Sequence, residues 1–233
     1  TLFFRTLHEN TNELLPLLLS CFLILQFFFP LASCRKDGIV EWLWKNWGNR
    51  MTEFEASRIR NFALVGHGSS GKTILAESML ASSGAINRLG SVEQGNTMSD
   101  YHEDEQQRQI SIHTTPMFAE WKSCKLNILD TPGYADFVGE TLSALRVSDF
   151  VVVTVHGAHG IELGTEQIWE RIGEMGIPPV AVINVLDAEN VKFDQILADL
   201  SDRFGKRFFP ITLPVNPGPG FDGVVDVLNR KLH

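Results

Sequence analysis

Three cysteines in 233 residues, Cys21, Cys34 and Cys124, are too few and too irregularly spaced for a zinc site or a disulfide framework. The globular part therefore suits a reducing, cytoplasmic setting. Basic charge is also scarce: 20 Lys and Arg against 28 Asp and Glu leave a net charge of -8, which excludes a surface coated for bare nucleic acid. No DNA partner is expected, and an RNA partner would have to be gripped locally. Internal repeats and low-complexity tracts are absent as well. The length allows one good hydrophobic core and part of a second.

What is present in the first fifty residues does not match that picture. Leu14 to Ala32 is mostly Leu and Phe, broken by Pro16, Ser20, Gln26 and Pro30, and as a helix it would reach about 28 Å, nearly a bilayer. Leu31-Ala32-Ser33-Cys34 resembles a bacterial lipoprotein cleavage site. The preceding segment sets Arg5 against Glu9 and Glu13, however, whereas an export signal needs a positive start. Residues 1–50 are therefore expected to be translated upstream sequence, with Met51 as the natural start and no membrane partner. A membrane-tethered protein built on Leu14 to Ala32 is the alternative.

From Arg58 onward, strand-like and helix-like runs alternate as in a parallel sheet covered by helices. The strand candidates are Ile59 to Val65, Ser111 to Trp121, Lys125 to Leu129, Phe150 to Val155 and Val180 to Ile183. Helical periodicity marks Thr73 to Ser82, Phe137 to Arg146, Thr165 to Met175 and Val191 to Phe204. Residues 87–109 are polar and without period, so they read as a long loop, and Pro214 to Gly220 as a turn-rich connector.

Four motifs follow in order. Gly66-His67-Gly68-Ser69-Ser70-Gly71-Lys72-Thr73 fits the phosphate-binding pattern G-x-x-x-x-G-K-[ST] between a strand and a helix. There the glycines let backbone amides turn toward one anion, at the positive end of the following helix. Lys72 adds a charge and Thr73 a hydroxyl for magnesium. Asp130-Thr131-Pro132-Gly133 sits at a strand end, where ligands of open parallel sheets collect. Asp130 is then placed to reach that magnesium and the Gly133 amide a terminal phosphate; alone, the tetrapeptide would be a plain turn. In Arg108-Gln109-Ile110-Ser111-Ile112, Ser111 could complete the metal shell, or be an ordinary strand serine. Asn184-Val185-Leu186-Asp187 closes the series. Its Asp187 can accept two hydrogen bonds from guanine N1 and N2, a pair adenine does not offer, or can cap the next helix.

Together these motifs resemble those of the translational GTPases, above all elongation factor G and its paralogues. The likeness runs from about Arg58 to Leu228 and includes Asp130 to Phe137, Gly160-Ile161-Glu162, Thr165-Glu166 and Trp169. Pro210 to Pro214 and Phe221 to Asp226 resemble the start of that family's inserted subdomain. The resemblance implies an α/β three-layer sandwich of the P-loop NTPase class, with residues 51–209 as the GTP-binding domain and 210–233 as a truncated insertion. It also implies GTP or GDP with Mg2+, GTP hydrolysis and action on the ribosome, in translocation or disassembly. Lys72 would touch the outer phosphates, Thr73, Ser111 and Asp130 would hold magnesium, and Gly133 would sense the third phosphate. Asn184 and Asp187 would hold the guanine.

Three departures stand out. Tyr134 occupies the position of the family's water-positioning histidine, Ser69 stands where the phosphate loop usually has aspartate, and Val185 replaces the lysine whose stem covers the guanine plane. They suggest a paralogue with altered hydrolysis, and leave a nucleotide-binding module with little turnover as the alternative. The family's fifth motif is absent, and the chain reads as part of a longer factor.

Overall fold

The computed structural model describes residues 53–205 and 208–233; the apolar run from Leu14 to Ala32 lies outside them. The architecture is the α/β sandwich expected. Five strands are ordered β2-β3-β1-β4-β5: β1 (Ile59–Gly66), β2 (Thr115–Trp121), β3 (Cys124–Asp130), β4 (Phe150–His156) and β5 (Pro179–Asn184). β3, β1, β4 and β5 run parallel, and β2 is antiparallel to β3 at the edge. The parallel strands are nearly continuous Val, Ile, Leu and Phe because helices cover both faces.

Alternation along each strand sorts the core into two layers. Phe62, Leu64, Ile128, Phe150 and Val152 face helix α1 (Lys72–Ser82), which contributes Leu75, Ala76, Met79 and Leu80. Ala63, Val65, Val151 and Val153 face the opposite way. They meet Ala144 and Leu145 of α3 (Val138–Arg146) and Ile168 and Ile172 of α4 (Leu163–Met175). Val155 packs with Ile196 and Leu200 of α5 (Phe193–Phe204). A separate antiparallel sheet contains β6 (Thr212–Val215), β7 (Gly223–Asp226) and β8 (Lys231–Leu232). It is tied back to the main body by the Gly218 amide, which donates to the Leu186 carbonyl at 2.7 Å.

The long polar loop is more ordered than its composition suggests. It contains a short helix, α2 (Glu103–Arg108), and it is pinned by two buried carboxylates. Glu77, on α1, accepts the Gly90 amide at 2.9 Å and the Met98 amide. Glu105, fully buried on α2, accepts the amides of His102, Ile112 and His113.

Those same bonds explain why the second strand starts at Thr115 rather than Ser111: the amides of Ile112 and His113 are taken by Glu105 and that of Thr114 by Glu140. Likewise α5 begins at Phe193 because the Lys192 amide still donates to Gly157 across the preceding loop. Pro214 and Val215, expected in a connector, instead pair with Val224 and Gly223.

Replacing Glu105 with Ala leaves three amides without their acceptor, each loss costing about 1–3 kcal/mol locally. Hydrogen exchange should then accelerate by about tenfold or more at Ile112 and His113, with β1 and β4 amides unaffected.

Candidate functional site

The carboxyl ends of β1, β3, β4 and β5 point the same way, and each delivers one part of the site. β1 runs into Gly66, whose backbone lies so close to Thr154 on β4 that a Cβ there would stand 2.4 Å from the Thr154 carbonyl oxygen. Ser70 and Thr154 share a buried 2.6 Å hydrogen bond between hydroxyls. The loop then turns through Ser69 and Gly71, both with positive φ, and Gly71 opens α1 with no side-chain cap on its first amides. Gly71 also has no room for a side chain, since a Cβ would meet Asn184 Nδ2 at 2.3 Å.

Lys72 is almost wholly buried, and its Nζ donates to the carbonyls of Gly66 at 3.1 Å and His67 at 2.9 Å. Burial lowers its pKa to about 8, a shift restrained by the charges of Asp130 and Asp100. Asp130, at the end of β3, has no exposed surface. Burial pushes its pKa up to about 6, against the pull of the Ser99 and Thr73 hydroxyls and of Lys72. Ser99 donates to Asp130 Oδ2 at 2.7 Å, while Oδ1 has no protein partner.

Thr73 and Ser111 come together, Oγ1 to Oγ at 3.3 Å, so the first and third motifs meet across the loop. Thr131 is fixed by a 2.7 Å bond to the Leu64 carbonyl, and Gly133 lies hard against the phosphate loop. A Cβ at Gly133 would stand 2.4 Å from Lys72 Nζ and 2.7 Å from the Gly68 nitrogen. The Tyr134 ring covers Gly68, its Cζ 3.0 Å from where a Cβ would sit.

A model of the elongation factor Tu GTP binding domain matches residues 57–228. The chain belongs to that family. Ribosome-releasing factor 2, mitochondrial, of Debaryomyces hansenii is 35% identical to this GTP-binding domain over 189 residues, covering 79% of the chain and 22% of the relative. Elongation factor G 2 of Borreliella burgdorferi is 34% identical over 176 residues, covering 75% and 26%. A solved structure from Thermus thermophilus superposes with a TM-score of 0.72 at 36% identity, covering 75% of this chain and 26% of that one. The fold is accordingly that of the P-loop GTPases, and the chain spans about a quarter of the length of these relatives. Guanine nucleotide is the ligand that such a GTP-binding domain implies.

The fourth motif of the GTP-binding domain differs in detail from expectation. Asp187 lies in a turn well before Lys192, the residue that precedes α5, so it is not a helix cap. Asn184 spends its side-chain amide on the phosphate loop, donating to Ser70 O at 3.1 Å and Gly71 O at 3.5 Å. It ties the end of β5 to the loop between β1 and α1. Val185 adopts φ 57°, a left-handed conformation costly for a β-branched side chain, and its Cγ2 lies against Gly71.

Several participants are not legible as site residues in the sequence. Ser99 and Asp100 read there only as members of a long polar loop. His67 has no assigned partner in that reading, yet its Nε2 lies 3.5 Å from Glu162 Oε1. Gly164 presses on the same ring, leaving no room for a side chain there. The only local hint for Glu105 is its spacing three residues after His102, the spacing of a helix capping box.

Between about pH 4 and 6 folded Asp130 holds a proton that the unfolded chain releases, so its contribution to stability falls as pH rises through that window. Asp130→Asn should therefore stabilise the ligand-free protein by about 3 kcal/mol near pH 7 and by little near pH 4. Denaturant titration of both proteins at the two pH values checks this.

Proposed function

We propose that this domain binds GTP and GDP with Mg2+ and hydrolyses GTP to GDP and phosphate, as the nucleotide-driven part of a factor acting on the ribosome in translocation or disassembly. The observation that carries the reading is the contact of Gly133 with both Lys72 and Gly68, which brings the second motif onto the phosphate loop. A third phosphate lying over Lys72 would press on Gly133, so the two ends of the reaction are sensed by adjacent backbone.

Each residue has a role in this scheme. Amides from Gly68 to Thr73 and the Lys72 ammonium hold the phosphates. Asp187 accepts from guanine N1 and N2, and Asn184 keeps the loop in register with that box. The chemistry of Thr73, Ser111 and Asp130 fits a hard cation with oxygen ligands, and the partnerless Asp130 Oδ1 is an acceptor awaiting one. When bound, magnesium would neutralise charge on the phosphate oxygens. Water attacks the terminal phosphorus as the bond to the GDP oxygen breaks, and both of its protons leave with the released phosphate, which gives one to solvent near neutral pH.

In this reading Tyr134, whose ring lies over Gly68, orients that water by hydrogen bonding, but unlike histidine it does not become a cation near neutral pH. Turnover is therefore slow in the isolated domain and only partly raised by ribosomes. We place this work in the cytoplasm, as the cysteine content suggests; the names of three fungal relatives put those proteins in mitochondria. Among the described residues no helix is long and apolar enough to cross a membrane.

Competition against a fluorescent guanine nucleotide tests the reading: GDP should displace it at a concentration at least about a hundredfold lower than ADP, and Asp187→Ala should erase that difference. Equal displacement by the two would sink the guanine reading. Val185→Lys should tighten GDP binding by about tenfold, because its stem would cover the base and the β-branch would be gone from a left-handed residue.

A further inference from the structure

The turn that carries Asp187 is held from three sides, and one of the three depends on a pair of histidines outside every motif. Asn184 ties the turn to the phosphate loop, and the Gly218 amide donates to its Leu186 carbonyl. The third hold is Gly157, just past the end of β4. Its amide donates to the Asn184 carbonyl at 2.7 Å and its carbonyl accepts the Lys192 amide at 3.3 Å, so Gly157 grips both ends of residues 184–192. It is buried, and a Cβ there would stand 2.9 Å from the carbonyl oxygens of Asn184 and Val185.

Gly157 is placed in turn by residues 156–160, His-Gly-Ala-His-Gly. His156 ends β4 beside Asn184 in the sheet register. The Gly160 amide donates back to the His156 carbonyl at 2.8 Å, and the Ala158 amide donates to His156 Nδ1 at 3.1 Å. An accepting Nδ1 belongs to the neutral imidazole. His159 lays its ring over that of His156, with centroids 4.0 Å and planes 12° apart. Burial and His159 hold the His156 pKa below its ordinary value, against Glu162 and Asp187, which keeps the stack uncharged and sets it within the field of Asp187. A short turn with two glycines has much backbone freedom to lose, and the stack restricts it. His159 itself is exposed and joins none of the hydrophobic clusters, so core packing does not account for its position.

We propose that His156 and His159 are positioning residues for guanine recognition: their stack fixes Gly157, and Gly157 sets where the turn presents Asp187. This rests on the guanine nucleotide reading above. Hydrogen bonds weaken steeply as distance and angle drift, so a loosened turn costs contact with the base while the phosphate loop keeps its grip. Selectivity for the base then depends on two side chains that belong to none of the nucleotide motifs.

Displacement of a fluorescent GDP from the full chain by unlabelled GDP and by ADP tests this. The two share ribose and phosphates, so the ratio of their dissociation constants isolates the base. His159→Ala removes only the stack and should lower the preference for GDP by about threefold, through weaker GDP binding with ADP unchanged. His159→Phe, which restores an aromatic face, should return the preference to that of the unchanged chain. His156→Ala removes the stack and the acceptor for Ala158 together and should lower the preference by about tenfold. The double alanine variant should match His156→Ala, since the stack is already gone there. Circular dichroism checks folding; should His156→Ala fail that check, the two variants at exposed His159 decide. An unchanged preference in His159→Ala overturns the proposal, as does failure of His159→Phe to restore it. Equal losses of GDP and ADP affinity, the mark of a merely structural turn, overturn it too. If the unchanged chain, while folded, shows no preference for GDP over ADP, the nucleotide reading itself falls and this inference with it.

Discussion

The parallel pairing of β1 between β3 and β4 is the constraint on which the site depends. The register sets Leu64 beside Asp130 and Gly66 beside Thr154, so the phosphate loop and the second motif leave the sheet at neighbouring points. Apolar side chains on both faces hold that register. A slip of one residue would send Phe62 and Leu64 to the face of α3 and α4 and Ala63 and Val65 to that of α1, emptying one layer and overfilling the other. Side-chain hydroxyls then finish the alignment: Thr131 reaches the Leu64 carbonyl and Thr154 the Val65 carbonyl, each spanning adjacent strands.

That geometry concentrates charge where the sheet is driest. Lys72, Asp130 and Asp100 are all almost fully buried, and in each case burial is the largest influence on the pKa. A fold gains nothing in stability from such an arrangement by itself, since desolvation of ions exceeds what imperfect pairing returns. On the proposed reading, the cost makes sense as preorganisation: donors and acceptors held ready for a polyanion and a cation need no rearrangement when these arrive. The unusual backbone at Ser69 and Val185, both with positive φ, lies on the same surface.

The sheet and its helices were readable because apolar periodicity reports burial directly. The runs Ile59 to Val65 and Phe150 to Val155 fall inside β1 and β4, and the glycine-lysine motif falls on the turn between β1 and α1. Residues 87–114 were not readable for a physical reason. Their order comes from carboxylates accepting backbone amides, Glu77 from another element and Glu105 from within the segment, and such bonds leave no repeating hydrophobic pattern. Two acidic residues of that polar loop, Asp100 and Glu105, are among the most buried polar groups. Asn184 shows a subtler limit: its motif was visible, but not that its amide would be committed to Ser70 and Gly71.

On the proposed reading, two of the three departures, Val185 and Tyr134, act on opposite ends of the nucleotide. On that reading Val185 takes a long alkyl stem from the base, while its Cγ2 lies against Gly71 of the phosphate loop. Tyr134 removes a titratable imidazole from the phosphate end but leaves an aromatic ring over Gly68. On that reading both side chains keep a contact with the phosphate loop and give up the charge-bearing group. Packing holds ground state and transition state alike, whereas only interactions stronger in the transition state accelerate chemistry. On the proposed reading, the pocket keeps more of what binds guanine nucleotide than of what would hydrolyse it unaided.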